Sequence, residues 1–580
     1  MQVEVTFTGL GDTPLELRMS RSSPGRYAIH DFAKNVYDVS AKGPDGRQLT
    51  VTRLDPSGWT VRSHGPAVTV AYKIFGDLVD GTYLAIDITH VHMNMPAAIM
   101  WARGFDDAPA TLTFEQPAGI GGQPWTAATQ LHAGTTPLSF SAPNLQYLMD
   151  SPVEFAPAVL RQFSVGPRRF RVAIHHAGGG DLDRFVRDIE RVVREEGAIY
   201  GEYPEYEPGH YTFLADYLPY AERDGMEHRN STVMTSSTDI PADRSGLLGT
   251  VAHEFFHSWN VERIRPRDIE PFDLDRANMS SDLWLAEGFT EYYGPVALHR
   301  AGLASLADTT ATLGDLVDAV VTAPGRLLRS AEDMSRMAPF VDGGRPIDRT
   351  NWTNTVVSYY PFGGAIALAL DLTLRERTDS RTTLDDYMRA MWRVHGKPGG
   401  SREGYVDRPY TTDDAQARLA EVSGDAAFAD EFFNRYVRGR ELADYGRLLQ
   451  HAGLIVRKRD AGRAWWGDIR LEPRGDGVRV GALVPPNAPA YAAGIDEDDT
   501  LLQIAGEHVT SAEAVTTVLS RHRPGERVPI VYRDRAGVSK QAGVLLAEDP
   551  HVEIVAVESA GGSLTPAQKA FRDGWLRSRQ

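Results

Sequence analysis

The chain has 580 residues, too many for a single hydrophobic core, and at about 150 residues per domain it holds roughly four. With 42% hydrophobic and 24% charged residues it has the balance of a folded globular protein, which excludes wholesale disorder. A net charge of −17 speaks against a nucleic-acid binder, whose phosphate contacts need clustered Lys and Arg, and the absence of cysteine removes disulfides, thiolate zinc ribbons and a cysteine nucleophile together.

Residues 1–168 read as an N-terminal β-sandwich: short alternating runs such as Trp59-Thr60-Val61 and Val68-Thr69-Val70-Ala71-Tyr72 are separated by Pro, Gly, Asn and Asp turns. The first residues enter strand pattern at once, with Val3, Val5 and Phe7 alternating and no basic segment followed by an apolar core. That abrupt start raises the expectation of a leader upstream of the chain and an exported, periplasmic or extracellular protein, with a cytoplasmic location as the alternative. No run of 18 consecutive apolar residues occurs, so no membrane span is expected. His90 and His92 alternate on one strand face without a third ligand nearby, and they read as structural histidines, as does the pair His175-His176.

The pattern changes near residue 181. Leu182, Phe185, Ile189 and Val192 have helical spacing, and helices dominate to about 455, with clear cases over 245–259, 282–293 and 363–375. Residues 335–356, rich in Gly, Pro, Asp and Asn, read as a long surface loop. Within the first of these helices, with Ser245 as its expected N-cap, stands His253-Glu254-Phe255-Phe256-His257, an HExxH motif. Positions i and i+4 share a helix face, so both imidazoles can reach one metal with Glu254 beside them; a helix carrying two incidental histidines satisfies the same short pattern. Catalytic zinc wants three protein ligands and an open position. Thirty residues downstream, Glu287 sits within Trp284-Leu285-Ala286-Glu287-Gly288-Phe289, where a carboxylate is costly to bury unless it is paired or ligates a metal. Glu291, one turn on, either orients a histidine or is a solvated glutamate. Residues 456–548 return to short strands with one helix over 511–522, and the tail 549–580 carries one short helix.

Together HEFFHSWN and LWLAEGFTEYY resemble the glycyl aminopeptidase family of zinc peptidases, related to the aminopeptidase N superfamily. The likeness extends to Ser23-Pro24-Gly25-Arg26-Tyr27 in the N-terminal region, to Gly225-Met226-Glu227-His228, which resembles a glutamate motif lining a substrate cleft, and to Ser358-Tyr359-Tyr360-Pro361-Phe362-Gly363, which resembles the segment of a catalytic tyrosine. Phe362 departs from the lysine usual there in the superfamily. Residues 488–495 and 499–506 resemble the core of bacterial protease-type PDZ domains, with Asp498 in place of the usual glycine. The resemblance implies a thermolysin-like, mainly α catalytic domain over 169–455 and a PDZ domain over 456–548.

It also implies roles. His253, His257 and Glu287 would hold one Zn²⁺ per chain. Glu254 would act as general base. Tyr360, restricted to extended geometry by Pro361, would donate to the oxyanion, with Tyr359 as the competitor. Glu227, with Gly225 and Met226, would take the free α-amine of a peptide substrate. The expected activity is a zinc aminopeptidase acting on small N-terminal residues, Gly or Ala. The alternatives are an endopeptidase with the same chemistry and a non-catalytic peptide-binding protein. A PDZ domain captures a peptide C-terminus at a sheet edge, and Trp466-Gly467-Asp468-Ile469 holds the place of its carboxylate loop; the bland alternative is a module that only packs on the catalytic domain.

Overall fold

A computed structural model describes residues 1–118, 122–342 and 348–580. The stretch 343–347 of the expected long loop lies outside the described residues; what flanks it is partly helical, with short turns over Ala331–Arg336, Ala338–Val341 and Trp352–Thr355.

Alternation builds the N-terminal region. Val68, Val70, Tyr72 and Ile74 point inward from Ala67–Ile74, which pairs antiparallel with both Gln2–Thr8 and Val36–Lys42. That four-stranded sheet shares a core with a second, formed by Leu15–Arg18, Val51–Asp55, Gly58–Val61 and Trp101–Ala102, and Phe7, Leu17, Trp59 and Tyr72 fill it. A further sheet carries Val91–Met93 paired with Val153–Ala156, in register His92 opposite Glu154.

The expected boundary at residue 168 cuts through a hairpin. Val159–Val165 pairs antiparallel with Arg168–His176 across a tight turn at Gly166, and Arg168–His176 runs parallel to Tyr211–Tyr217 and on to Ser231–Ser236, with Asp224–His228 as the edge strand. Hairpin partners share a sheet, so this five-stranded sheet begins at Val159 rather than beyond residue 168.

Helices cover the sheet. Leu182–Tyr200 buries Phe185, Ile189, Val192 and Val193 against it, the apolar stripe its spacing foretold. The HExxH helix spans Ile240–Phe256 but breaks at Asp243 (φ −143°, ψ 54°). Asp243 accepts from the Gly246 N–H at 3.0 Å, so this aspartate, not Ser245, caps the main helix. The helix expected over 282–293 forms: Leu283–Ala286 and Gly288–Arg300 join at Glu287, whose backbone stays helical (φ −91°, ψ −46°), its N–H donating to the Leu283 carbonyl and its carbonyl accepting from the Glu291 N–H, both at 2.8 Å.

The helix Tyr359–Thr378 passes against this junction with its backbone in contact. A Cβ on Gly363 would lie 1.9 Å from the Trp284 carbonyl oxygen, and one on Gly288 would lie 2.3 Å from Gly363 Cα. Only glycines allow that approach, which delivers Tyr360 to the same place as Glu287. Residues 352–378 are long and apolar enough to cross a membrane by length and composition, yet Phe362, Leu368, Leu370 and Leu374 are buried in the core.

Near the C-terminus, Leu454–Lys458 pairs antiparallel with Val552–Ala556, and this ribbon lies on the helix Leu306–Thr322. Between its strands a six-stranded sheet over 471–545 encloses its own core of Val478, Val480, Ile504, Val528, Ile530 and Val544. The expected limits of 456 and 548 therefore cut into one strand of the ribbon and miss its partner. The segment expected as a tail is part of the helical domain. Trp575, on the helix Pro566–Leu576, is fully buried, its indole N–H donates to Tyr292 at 2.8 Å, and Arg300 donates to its carbonyl at 2.9 Å. Truncating so large a core side chain costs about 3–5 kcal/mol.

Candidate metal centre

His253 and His257 lie one turn apart on the HExxH helix and both aim Nε2 at Glu287 Oε2, at 3.6 and 3.2 Å. Their other ring nitrogens are fixed. His257 Nδ1 lies 2.6 Å from the Asn260 carbonyl, which can only accept, so Nδ1 carries a proton and Nε2 is the nitrogen left to face the glutamate. His253 Nδ1 pairs with Glu291 Oε2 at 3.2 Å, which settles the two readings of Glu291 for the orienting one. The free oxygen of Glu287 accepts from the Tyr27 hydroxyl at 2.6 Å. One ligand atom from each of His253, His257 and Glu287 lies within 4.8 Å of the others.

Carboxylates crowd this centre. Glu227 and Glu254 each bring an oxygen within 4.8 Å of His257 and of one another. Burial, together with the like charges of Glu287 and Glu254, pushes the Glu227 carboxyl well above the usual carboxylate range despite the opposing charge of His257. Glu254 is raised by burial and by Glu287, against the pull of the two histidines. Burial disfavours the charged form of Glu287 too, but the charge of His257 and the hydrogen bonds of both histidines outweigh it and hold this carboxyl low. Two imidazole Nε2 atoms and one ionised carboxylate converging in a carboxylate-rich, buried place make a donor set that fits a divalent zinc-class cation. Glu254 Oε2 is buried with no hydrogen-bond partner among the described residues, beside that set and outside it.

Glu254 needs the glycine opposite it. Gly225 and Glu227 share one face of the edge strand Asp224–His228, and a Cβ on Gly225 would lie 2.1 Å from Glu254 Oε1. Met226 alternates to the other face and is buried among Ala128, Ala173, Leu214 and Val233. The expected substrate-binding role of Met226 is therefore corrected to packing, a consequence of the two-residue period of a strand.

Tyr360 is half-buried, with its ring 6.0 Å from that of His253; Tyr359 is buried behind it, stacked on Tyr360 and edge-on to Tyr27. Tyr360 is not extended. It lies in the first turn of its helix, where Pro361 loses nothing because the first four N–H groups of a helix have no partner within it. Clefts of about 790 and 700 Å³ meet at Gly225, His253 and Glu254, the larger also lined by Arg26, Asp342 and Tyr360.

Three contributors lie outside the motifs' assigned roles. Tyr27 and Arg26 arrive from the N-terminal region. Arg26 pairs with Asp224 and donates to the Gly225 carbonyl at 3.2 Å, which fastens the edge strand. Asn260 donates to the Leu285 and Ala286 carbonyls at 3.1 and 2.9 Å and so ties the end of the HExxH helix to the junction at Glu287. Ser23-Pro24-Gly25-Arg26-Tyr27 and the final letter of HEFFHSWN were their only signals.

Residues 1–157 match the family model described as the Peptidase M61 N-terminal domain, and residues 246–366 match that of the M61 glycyl aminopeptidase. Among solved structures, an aminopeptidase N family protein from Idiomarina loihiensis superposes with a TM-score of 0.85 at 23% identity, covering 99% of this chain and 97% of that one. An M1 zinc metallopeptidase from Deinococcus radiodurans gives a TM-score of 0.44 at 16% identity, over 76% of this chain and 90% of the other. No curated protein matches the sequence.

Proposed function

Because the chain belongs to the M61 glycyl aminopeptidase family, and so is a metallo-aminopeptidase, we propose that it hydrolyses the first peptide bond of peptides with a free N-terminus, preferring Gly or Ala there. The observation that carries this reading is the convergence of His253 Nε2 and His257 Nε2 on Glu287 Oε2 with the Glu227 and Glu254 carboxylates alongside.

In this reading His253, His257 and Glu287 hold one zinc ion. Zinc supplies a Lewis acid that polarises the scissile carbonyl and lowers the pKa of a bound water from about 15.7 toward ~7. Glu254 accepts the proton of the attacking water and passes it to the leaving amine, a task that suits a carboxylate with a raised pKa. Tyr360 donates a hydrogen bond to the oxygen on which charge develops. Glu227 receives the α-ammonium of the substrate. Its buried carboxylate gains a charged partner only from an unblocked N-terminus, and a blocked one leaves it unpaired at a cost of about 1–3 kcal/mol. That geometry favours the aminopeptidase over an endopeptidase with the same chemistry.

The N-terminal region acts as a β-sandwich domain that lends Arg26 and Tyr27 to a thermolysin-like catalytic domain. The unit over 464–548 is a PDZ module. Asp498 adopts φ +71°, the left-handed conformation expected where such domains carry glycine, and it pairs with Arg479 and with Arg349 of the catalytic domain. Its sheet edge would take a peptide C-terminus.

The reading is tested with glycyl- and alanyl-p-nitroanilide. Hydrolysis that a chelator abolishes and zinc restores supports it; no hydrolysis by zinc-replete protein counts against it.

A further inference from the structure

A second cluster of metal-binding groups lies where the N-terminal region meets the five-stranded sheet. Strand register assembles it. Glu154 stands opposite His92 in the pairing of Val153–Ala156 with Val91–Met93, and Asp216 stands opposite His175 in the pairing of Tyr211–Tyr217 with Arg168–His176. His90 completes the group, its ring 4.4 Å from that of His175. One ligand atom from each of His90, Glu154, His175 and Asp216 lies within 4.8 Å of the other three. The histidines that read as structural for want of a third ligand thus find two carboxylates, from positions far away in the chain.

The cluster is buried and unsatisfied. His90, His92, Glu154 and Asp216 are at most 2% exposed. Among the described residues, His90 Nε2, His175 Nδ1, Asp216 Oδ1, both oxygens of Glu154 and both ring nitrogens of His92 have no hydrogen-bond partner. The ion-pair partners of Glu154 and Asp216 among the described residues are histidines, at 3.4–3.5 Å. Each unpartnered buried polar group costs about 1–3 kcal/mol, and two dry carboxylates side by side cost more. One cation that takes one atom from each of His90, Glu154, His175 and Asp216 removes most of these penalties together. Ligands about 2.0–2.1 Å from a tetrahedral ion stand about 3.3–3.4 Å from each other, and His175 Nδ1 already lies 3.5 Å from Asp216 Oδ1. His90 Nδ1 is already engaged by the Thr89 hydroxyl at 3.2 Å and lies 3.3 Å from Asp87, which turns Nε2 inward.

We propose that His90, Glu154, His175 and Asp216 bind a second, structural divalent cation of the zinc class, with His92 orienting the two carboxylates. Imidazole and carboxylate donors select zinc-like ions over calcium or magnesium, and four protein ligands leave no open position. Two ligands come from the N-terminal region and two from the sheet of the catalytic domain, so the ion staples together the two parts that share the Tyr27–Glu287 hydrogen bond. The chain then carries two zinc ions instead of the one its motifs foretell.

Metal analysis by mass spectrometry of the full chain, purified from zinc-supplemented cells, tests this. The expected content is two equivalents in wild type, one in a His253→Ala/His257→Ala variant, and one in Asp216→Asn. His175→Ala, at the less buried rim of the cluster, gives the same loss should Asp216→Asn fail to fold. Strong chelator should also lower the melting temperature of the His253→Ala/His257→Ala variant. One equivalent in wild type with none in that double variant overturns the proposal, as does a melting temperature in that variant indifferent to chelator.

Discussion

Tyr27, in the N-terminal region, donates its hydroxyl proton to Glu287 at 2.6 Å across 260 residues of sequence, and so fixes the carboxylate that faces the two histidines of the HExxH helix. Tyr27→Phe keeps the ring packed edge-on against Tyr359 and removes only that bond. Loss of such an outer partner weakens metal affinity about 10–100-fold. Competition titration with a zinc chelator reads this directly, and an unchanged affinity would remove Tyr27 from the centre.

Glu254 and Tyr360 are assigned to chemistry rather than to holding zinc. Glu254→Gln should retain zinc while turnover falls by about 10²–10⁴. Tyr360→Phe should lower kcat by about 10²–10³ with little change in KM, and Tyr359→Phe, behind it, should do much less. Normal turnover in Glu254→Gln would sink the general-base assignment, and a larger effect at Tyr359 than at Tyr360 would exchange the tyrosines.

Gly225 gives a purely steric test. An added Cβ meets Glu254 Oε1 at 2.1 Å, with the bulk of the protein untouched. Gly225→Ala should displace Glu254 and abolish most activity while zinc content and melting temperature stay near wild type. Activity within a few-fold of wild type would mean that Glu254 has room to move and still work.

The C-terminal unit is docked through a titratable group. His551 Nδ1 pairs with Asp318 at 2.7 Å and Nε2 with Asp468 at 3.1 Å, which joins the helical domain to the loop beside Trp466. Burial opposes the charged imidazole, but the Asp318 hydrogen bond and the Asp468 charge outweigh it and raise its pKa. A raised folded-state pKa makes this contribution full below the unfolded value of about 6.5 and lost as pH climbs through the folded value. The melting-temperature gap between wild type and His551→Gln should therefore be largest at or just below the unfolded value of about 6.5 and shrink as pH rises above it. A gap that widens with pH would contradict the sign.

Much of the centre is legible in the sequence because its candidate ligands lie on local periodicities. Helical spacing puts His253 and His257 on one face, and a carboxylate in an apolar run marks Glu287. What periodicity cannot carry is contact between distant segments. The Tyr27 bond, the Arg26 clamp on Asp224 and the Gly288–Gly363 approach appear only once the chain is folded. The same limit hid the cluster at Glu154 and Asp216, since cross-strand register, not spacing, brings its histidines together. A local break was also missed. The HExxH helix breaks at Asp243, which caps its main part in place of Ser245. The helix Pro566–Leu576 looked like a tail because one buried tryptophan, Trp575, carries its docking.

The central claim is that a free α-amine meets Glu227 beside a zinc-activated water. The most direct measurement is kcat/KM of zinc-replete protein for glycyl-p-nitroanilide and its N-acetyl form side by side, in wild type and in Glu227→Ala. The account predicts that acetylation costs wild type about 10²-fold or more, since it leaves a buried carboxylate unpaired, and that Glu227→Ala narrows that gap chiefly by losing activity on the free amine. Equal cleavage of both forms by wild type would contradict it and point to an endopeptidase.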